Sequence, residues 1–275
     1  MNKKILVLLS SLILVLAVAL SGCGGKSEDT QKKGQDKKVI KVGATAGPQA
    51  QVLEAVKPVL AKDGIEMQII EFNDYTTPNV ALSQGELDAN SMQHRPFLEA
   101  QIEARDYKLT PIGQTVLLPM GLYSKKVKSL DELKDGATVA IPNDPSNGGR
   151  GLLLMQKVGL IKVKPEAGIL PGPGDIIENP KNLKIVEVEA AQAPRVLDDV
   201  ELVAVNTNYA LVAGLVPSKD SLAIEDKDSP YACVLVVRTQ DKDREDLQKL
   251  LKAYQSPEVA KFIEEEFKGS ILKAW

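Results

Sequence analysis

The sequence is poor in the residues that build metal sites and disulfides. It contains only two cysteines, Cys23 and Cys233, and a single histidine, His94. This inventory excludes a zinc cluster, and we expect neither a metal nor another cofactor. Cys23 is predicted to carry a lipid, as argued below, so no internal disulfide can form. Cys233 lies in an apolar run and is predicted to be a buried small hydrophobic residue.

Basic charge and catalytic motifs are also missing. Acidic residues number 37 against 34 basic ones, so the chain lacks the positive surface that nucleic-acid binding needs. There is no Gly-x-Ser-x-Gly elbow and no Gly-rich Lys-Ser/Thr phosphate loop. His94 therefore has no evident nucleophile to activate, and we do not expect an enzyme. The alternative is an extracytoplasmic hydrolase on the same scaffold.

The first residues have the pattern of a secretory signal. Lys3 and Lys4 precede an apolar run from Ile5 to Leu20, which ends in Leu20-Ser21-Gly22-Cys23. A spanning helix needs about 20 apolar residues, so this run is short for one. The ending resembles the bacterial lipobox, in which the cysteine receives a diacylglycerol and becomes the new N-terminus. We predict a signal peptide at 1–22 and a lipid on Cys23.

The rest of the chain alternates between strand and helix patterns. A polar, charged stretch at 23–38 predicts a flexible tether. A strand, a helix and a strand then follow in a βαβ order typical of parallel sheets. Predicted strands are Val39–Thr45, Met67–Phe72, Ala137–Pro142, Leu183–Val188, Leu202–Val205 and Val234–Val237. Predicted helices are Gln49–Lys62, Gly149–Val158, Ala191–Asp199, Asp243–Tyr254 and Pro257–Phe267, with a further helix start capped by Ser129 and Glu132.

This order predicts an α/β protein of two lobes, each a mostly parallel sheet flanked by helices. About 250 residues remain after the leader, enough for two cores. We expect residues 39–118 and 231–275 to form lobe 1 and residues 119–230 to form lobe 2. Ligands of such sheets bind beyond the carboxyl ends of the strands, which predicts a cleft between the lobes.

Four polar clusters that follow predicted strands are the candidate binding loops: 72–75, 90–97, 142–150 and 206–209. Tyr75 and Phe97 provide an aromatic wall in these loops. A helix beginning near Arg150, capped by Ser146 or Asn147, would offer a carboxylate clamp, and a surface ion pair of the arginine is an equal alternative. The Asn206 amide can serve either end of an amino acid. The set suits a zwitterion with an apolar side chain.

Longer segments carry a family resemblance. They include FNDYTTPNVAL, GELDANSMQHRPFLE, GATVAIPNDPSNGGRGLLLMQKVGLI, ENPKNLKIVEVEA and VNTNYA. The chain resembles the methionine-binding lipoproteins (MetQ/NlpA family) of bacterial ABC importers, from Val39 to Trp275. The resemblance implies a monomeric, lipid-anchored binder on the extracytoplasmic face of the cell membrane. It would close on L-methionine and deliver it to a membrane permease driven by a cytosolic ATPase.

The resemblance also implies the residues of the ligand site. By position they are Tyr75, Met92, His94, Phe97, Asn147, Arg150, Asn206 and Cys233. Two of them depart from the family pattern: Met92 stands where an aromatic is expected, and Cys233 where an Asn would bond the charged end of the ligand. A different small amino acid, a close analogue or a short Met-containing peptide are therefore alternatives, as is a surface lipoprotein that has lost transport.

Overall fold

The structure is a computed structural model that describes residues 38–275. The predicted signal peptide, Cys23 and all but the last residue of the predicted tether lie outside the described residues. Within 38–275, none of the helices combines the length and the apolar composition that crossing a membrane requires.

Strands and helices alternate along most of the chain. The strands are β1 (Lys38–Thr45), β2 (Ile65–Phe72), β3 (Ala89–His94), β4 (Leu109–Gln114), β5 (Val116–Leu117), β6 (Gly121–Tyr123), β7 (Thr138–Pro142), β8 (Lys162–Val163), β9 (Ile176–Glu178), β10 (Lys184–Val188), β11 (Leu202–Val205), β12 (Ala223–Ile224), β13 (Cys233–Arg238) and β14 (Leu272–Lys273). The α-helices are α1 (Pro48–Ala61), α2 (Thr77–Ser83), α3 (Arg95–Arg105), α4 (Pro145–Lys157), α5 (Thr207–Val212), α6 (Pro217–Asp220), α7 (Glu245–Tyr254) and α8 (Pro257–Phe267).

Two five-stranded sheets organise the described chain. The first sheet has the order β2-β1-β3-β13-β4 and the second has the order β10-β7-β11-β6-β12. In the first sheet β2, β1 and β3 are parallel, and β13 runs antiparallel between β3 and β4. In the second sheet β10, β7 and β11 are parallel, and β6 and β12 complete it in antiparallel pairings. The predicted fold class, two mostly parallel sheets with flanking helices, is confirmed.

Both faces of each sheet are buried, which explains the continuous apolar runs in the sequence. In β13, Cys233, Leu235 and Val237 pack into one apolar cluster, while Val234 and Val236 pack into another on the opposite face. Successive side chains of a strand point to opposite faces, so a strand covered on both sides needs apolar residues throughout. Cys233 is buried, as predicted.

The helices that cover the first sheet follow the predicted spacing. Val52, Leu53, Val56 and Leu60 of α1 are fully buried in the same cluster as residues of α7 and α8. The strand-helix-strand unit β1-α1-β2 is thus confirmed, and α8 has the bounds predicted from the sequence. The chain returns from the second sheet to insert β13 into the first.

One predicted loop is instead a central strand. Residues 90–94 belong to β3, which is buried along its whole length, and Phe97 lies in the first turn of α3. Polar residues are tolerated in this strand because their amides bond one another. Nδ2 of Asn79 donates to Oε1 of Gln93 over 2.8 Å, and Nε2 of Gln93 donates to Oδ1 of Asn90 over 2.9 Å. The loop prediction for residues 90–97 was wrong.

Helix α4 begins earlier than predicted. Its first residue is Pro145, and the carboxylate of Asp144 accepts from the backbone N–H of Asn147 over 2.9 Å, so neither Ser146 nor Asn147 caps the helix. The glycines that indicated a turn lie inside the helix, where they allow close packing. A Cβ on Gly148 would lie 2.7 Å from the carbonyl oxygen of Pro142. Arg150 consequently lies in the second turn of α4.

A second cap prediction was also wrong. Residues Leu130–Glu132 form a single 3-10 turn, and the Ser129 side chain makes no capping hydrogen bond. The Glu132 carboxylate accepts from the backbone N–H of Lys128 over 2.8 Å instead. The segment Ala190–Asp198, predicted as helical, is a longer 3-10 helix.

A charged network fixes the start of β1 against α7. Arg244 donates to Asp246 over 2.7 Å and to Asp88 over 2.8 Å, and Lys38 lies 3.1 Å from Asp246. Burial raises the pKa of Asp246, but hydrogen bonds and charge from Arg244 and Lys38 outweigh it and leave the pKa below the ordinary value of 3.8. The ionised carboxylate therefore stabilises the fold.

We expect Asp246→Asn to lower the free energy of unfolding at pH 7 by about 1.5–3 kcal/mol, since it removes charge-assisted hydrogen bonds. The pKa of Asp246 is lower in the folded than in the unfolded protein. Its contribution is therefore complete above about pH 4 and is lost as the pH falls through the folded value. Urea unfolding at pH 7 and pH 3 measures the loss of unfolding free energy and its dependence on pH. Asp243→Asn, at an exposed neighbour, is the matched control. An equal loss at both pH values would contradict the electrostatic explanation.

Candidate functional site

A cavity lies where the carboxyl ends of the parallel strands of both sheets face each other. About 370 Å³ of space between the protein atoms belongs to it, part of which is open to solvent. The eight residues predicted for the ligand site all line it. The complete lining is Gln49, Tyr75, Met92, Gln93, His94, Phe97, Leu118, Asn147, Arg150, Asn206, Thr207, Asn208, Tyr231 and Cys233.

A chain of hydrogen bonds joins the two sheets across the cavity. Nδ1 of His94 accepts from the backbone N–H of Phe97 over 3.1 Å, so the ring proton lies on Nε2. Nε2 is 3.1 Å from Oδ1 of Asn147, which also accepts from Nδ2 of Asn206 over 2.7 Å. Nδ2 of Asn147 donates to the carboxylate of Asp144 over 2.9 Å. The direction of every bond in this chain is therefore fixed.

His94 is neutral in this setting. Burial, followed by the positive charge of Arg150, lowers the pKa of His94 to about 3. Both ring nitrogens are already engaged in hydrogen bonds, so the imidazole has no free position from which to move a proton. This geometry gives His94 a structural and lining role, as the sequence indicated.

Arg150 is buried, with 3% of its side chain exposed, and its ion pair is internal rather than on the surface. Nε donates to Oε1 of Glu225 over 2.8 Å, Nη2 bonds the other carboxylate oxygen, and Nη2 also donates to the carbonyl of Leu118 over 2.8 Å. The guanidinium carbon lies 4.5 Å from the centre of the Tyr231 ring. Burial lowers the pKa of Arg150, but the charge of Glu225 outweighs it and raises the pKa. Arg150 is therefore held in place as a cation.

The aromatic rings of Tyr75 and Phe97 form another part of the lining, and Tyr209 packs behind Tyr75. The ring centres of Tyr75 and Phe97 are 5.8 Å apart, and those of Tyr75 and Tyr209 are 4.9 Å apart. The Tyr75 hydroxyl donates to Oδ1 of Asn208 over 2.6 Å, which links a loop of the first sheet to a helix of the second. Tyr75 thus contributes an apolar face and fixes the orientation of the Asn208 amide.

Two amide atoms at the start of α5, on the second sheet, are buried without a partner among the described residues: Oδ1 of Asn206 and Nδ2 of Asn208. The residues are 6% and 4% exposed, and both line the cavity. An unpaired buried amide atom costs about 1–3 kcal/mol, so such atoms are rare in native structures. Their presence in one cavity indicates a site for a ligand that accepts a hydrogen bond from Nδ2 of Asn208 and donates one to Oδ1 of Asn206.

Cys233 and Gln49 form a corner of the cavity. Nε2 of Gln49 lies 3.9 Å from Sγ of Cys233, and Oε1 of Gln49 accepts from the Thr45 hydroxyl. Burial raises the pKa of the Cys233 thiol to about 12, so it stays protonated and is a poor nucleophile. The corner is neutral and weakly polar.

Sequence reasoning missed several lining residues and the partner of Arg150. Asn208 lies in the segment VNTNYA, two residues after Asn206. Its position at the start of a short helix could have identified it. Glu225 and Tyr231 lie on the return segment between the sheets, in a stretch without periodic signal. Nothing in the sequence pairs Glu225 with Arg150, which is 75 residues away.

Comparison with known proteins places this geometry in a family. The family model described as NlpA lipoprotein matches residues 40–275. The chain is 50% identical over 265 residues to the D-methionine-binding lipoprotein MetQ of Salmonella typhimurium, with 95% of each chain covered. It is 49% identical over 266 residues to the protein of that name in Escherichia coli K12, again with 95% of each chain covered.

Solved structures agree with the sequence relatives. A nutrient-binding protein from Burkholderia cenocepacia, bound to methionine, is 52% identical with a TM-score of 0.84, covering 86% of this chain and all of that one. A structure of the methionine-binding protein MetQ is 51% identical with a TM-score of 0.85, covering 87% and 99% of the two chains. Their folds match over the whole described region. The chain therefore belongs to the NlpA lipoprotein family.

Proposed function

We propose that the protein is the substrate-binding lipoprotein of an ABC importer, and that it binds methionine in the cavity between the two sheets. The observation that carries the proposal is the pair of unpartnered amide atoms, Oδ1 of Asn206 and Nδ2 of Asn208, beside Arg150 in an aromatic-walled cavity. Relatives about 50% identical carry the name of methionine-binding lipoproteins. The protein acts as a monomer that delivers its ligand to a permease and its cytosolic ATPase.

The polar groups suit both ends of an amino acid. Nδ2 of Asn208 and Nη1 of Arg150, which has no hydrogen-bond partner among residues 38–275, are donors for a carboxylate. Oδ1 of Asn206 is an acceptor for an ammonium group. Tyr75, Phe97 and Met92 enclose the side chain, and a thioether makes favourable contacts with aromatic rings.

The same proposal assigns the parts of the chain. Residues 39–118 and 231–275 form one lobe and residues 119–230 the other, with the ligand between them. Residues 1–22 are the signal peptide, and the lipid on Cys23 anchors the protein to the extracytoplasmic face of the cell membrane through the tether at 23–38. The lipobox sequence and the NlpA lipoprotein match support this assignment.

Isothermal titration with L-methionine is expected to give saturable binding with one ligand per chain. D-methionine, leucine and a glycyl-methionine dipeptide are titrated in parallel, because they separate stereochemistry, side-chain chemistry and length. A ligand at 100 times its Kd should also stabilise the fold by about 2.7 kcal/mol, which a thermal melt detects. Leucine is the matched apolar control. Absence of heat and of thermal shift with both methionine isomers would rule out the proposed ligand.

Asn206→Ala should weaken methionine binding by about tenfold to a hundredfold. It removes a hydrogen bond to a charged ammonium, worth about 1.5–3 kcal/mol. Asn143→Ala is the control, because Asn143 is exposed outside the cavity and its side chain donates to the carboxylate of Glu189. Circular dichroism verifies that both variants fold. Equal affinities of the Asn206 and Asn143 variants would refute the assigned role.

Cys23→Ser should move the protein from the membrane fraction to the soluble fraction, since only a thiol accepts the diacylglycerol. Metabolic labelling with radioactive palmitate measures the lipid directly. The control is Cys233→Ser, which removes the other cysteine of the chain and should retain the label. Label that survives Cys23→Ser would disprove lipidation at this position.

A further inference from the structure

The charge of the cavity is set by one ion pair whose acidic member lies behind the lining. Among the described residues that line the cavity, Arg150 is the one with a formal charge, because His94 is neutral. Glu225 does not line the cavity, but its carboxylate holds two nitrogens of Arg150. The pair is buried, with 3% of the arginine and 9% of the glutamate side chain exposed. The guanidinium of Arg150 and the carboxylate of Glu225 therefore cancel each other's formal charge.

The position of Glu225 is well defined. Its carboxylate also accepts from the backbone N–H of Met120 over 2.8 Å, and its own N–H donates to the carbonyl of Met120 over 3.0 Å. These bonds join the two segments that connect the sheets and bring the carboxylate edge-on to the guanidinium. Glu225 takes the Nε–Nη2 edge and leaves Nη1 for a ligand. Another carboxylate beside the lining, that of Asp144, accepts from the Asn147 amide and caps α4; it is partly exposed, so solvent screens its charge.

We propose that Glu225 determines the charge class of the ligand: by cancelling the charge of Arg150, it makes the cavity select a net-neutral zwitterion over an anion of the same shape. The inference rests on the proposed function and names a property of the same site. Burying a net charge without compensation is costly in a low-dielectric cavity. A zwitterion brings an ammonium with its carboxylate and leaves the net charge of the site unchanged. An anion would leave it with one uncompensated negative charge.

The test compares two ligands that differ in one group. Methionine carries an ammonium, whereas 2-hydroxy-4-(methylthio)butanoate carries a hydroxyl at the same carbon and is an anion at neutral pH. Isothermal titration gives both dissociation constants for the wild-type protein and for Glu225→Gln. The glutamine keeps the size and an acceptor oxygen but not the charge. We expect the ratio of the two constants to shift towards the anion by about tenfold to a hundredfold in the variant.

The ratio of the two dissociation constants distinguishes charge selection by Glu225 from a purely structural role of this residue. If Glu225 only positions Arg150, the substitution weakens both ligands equally and the ratio stays at its wild-type value, which would overturn the inference. Asp226→Asn is the matched control, because it removes a neighbouring negative charge that pairs with Lys157 at the surface. Its ratio should equal that of the wild type, and a shift as large as that of Glu225→Gln would also overturn the inference.

The wild-type protein supplies a second measurement that needs no variant. We expect it to bind methionine about a hundredfold more tightly than the hydroxy acid and than methioninamide, which is a cation. If the dissociation constant of the hydroxy acid lies within tenfold of that of methionine, the site does not discriminate against an anion. This result contradicts the inference even where Glu225→Gln fails to fold. If the wild-type protein binds neither methionine nor the hydroxy acid, the proposed function is contradicted, and this inference with it. If methionine binds but the ratio of the two dissociation constants is the same in Glu225→Gln as in the wild type, the inference is contradicted and the proposed function is not.

Discussion

A single carbonyl oxygen, Oδ1 of Asn147, receives hydrogen bonds from both sides of the cavity, and the polarity of the site follows from it. His94 reaches it from the first sheet over 3.1 Å and Asn206 from the second over 2.7 Å. Because this oxygen can only accept, Asn206 must turn its nitrogen towards it, which leaves its own oxygen without a partner among the described residues. The acceptor on that wall is thus fixed by a bond that no ligand takes part in.

Each half of the described structure has its own apolar cores, whereas hydrogen bonds and a few partly buried side chains, such as Leu211 of α5 against the core of the first sheet, connect the halves. The four clusters of buried apolar residues divide between the two sheets, and none combines buried residues of both. The hydrogen bonds across the cavity include His94 to Asn147, the Tyr75 hydroxyl to Asn208 and the Tyr209 hydroxyl to the carbonyl of Asn73 over 3.3 Å. A hydrogen bond within the protein replaces bonds to water, so its net contribution to stability is small. These contacts therefore orient the side chains of the cavity without adding much to the stability of the fold.

Periodicity predicted most of the elements that position the site, because their cores are local and regular. The spacing of Val52, Val56 and Leu60 and the apolar run of β13 follow directly from burial on one helix face and on two sheet faces. The failures arise where tertiary contacts override local preference. The amides of Asn79, Asn90 and Gln93 satisfy one another, so a polar segment becomes a buried strand. The pairing of Arg150 with Glu225 depends on how the connecting segments cross, and no local pattern encodes that.

Cys233, at a position where the family resemblance implies an Asn, has a limited effect on the donors that line the cavity. A thiol at this position does not replace the hydrogen bonds of an amide, and its Sγ is 3.9 Å from Nε2 of Gln49. The remaining donors come from other elements: Nδ2 of Asn208 on α5 and Nη1 of Arg150 on α4, neither with a partner among residues 38–275. Because Glu225 and Tyr231 hold the guanidinium from its edge and its face, this part of the site does not depend on residue 233 for its geometry. A thiol at position 233 therefore affects one corner of the cavity, next to Gln49, and leaves the amides of Asn206 and Asn208 in place.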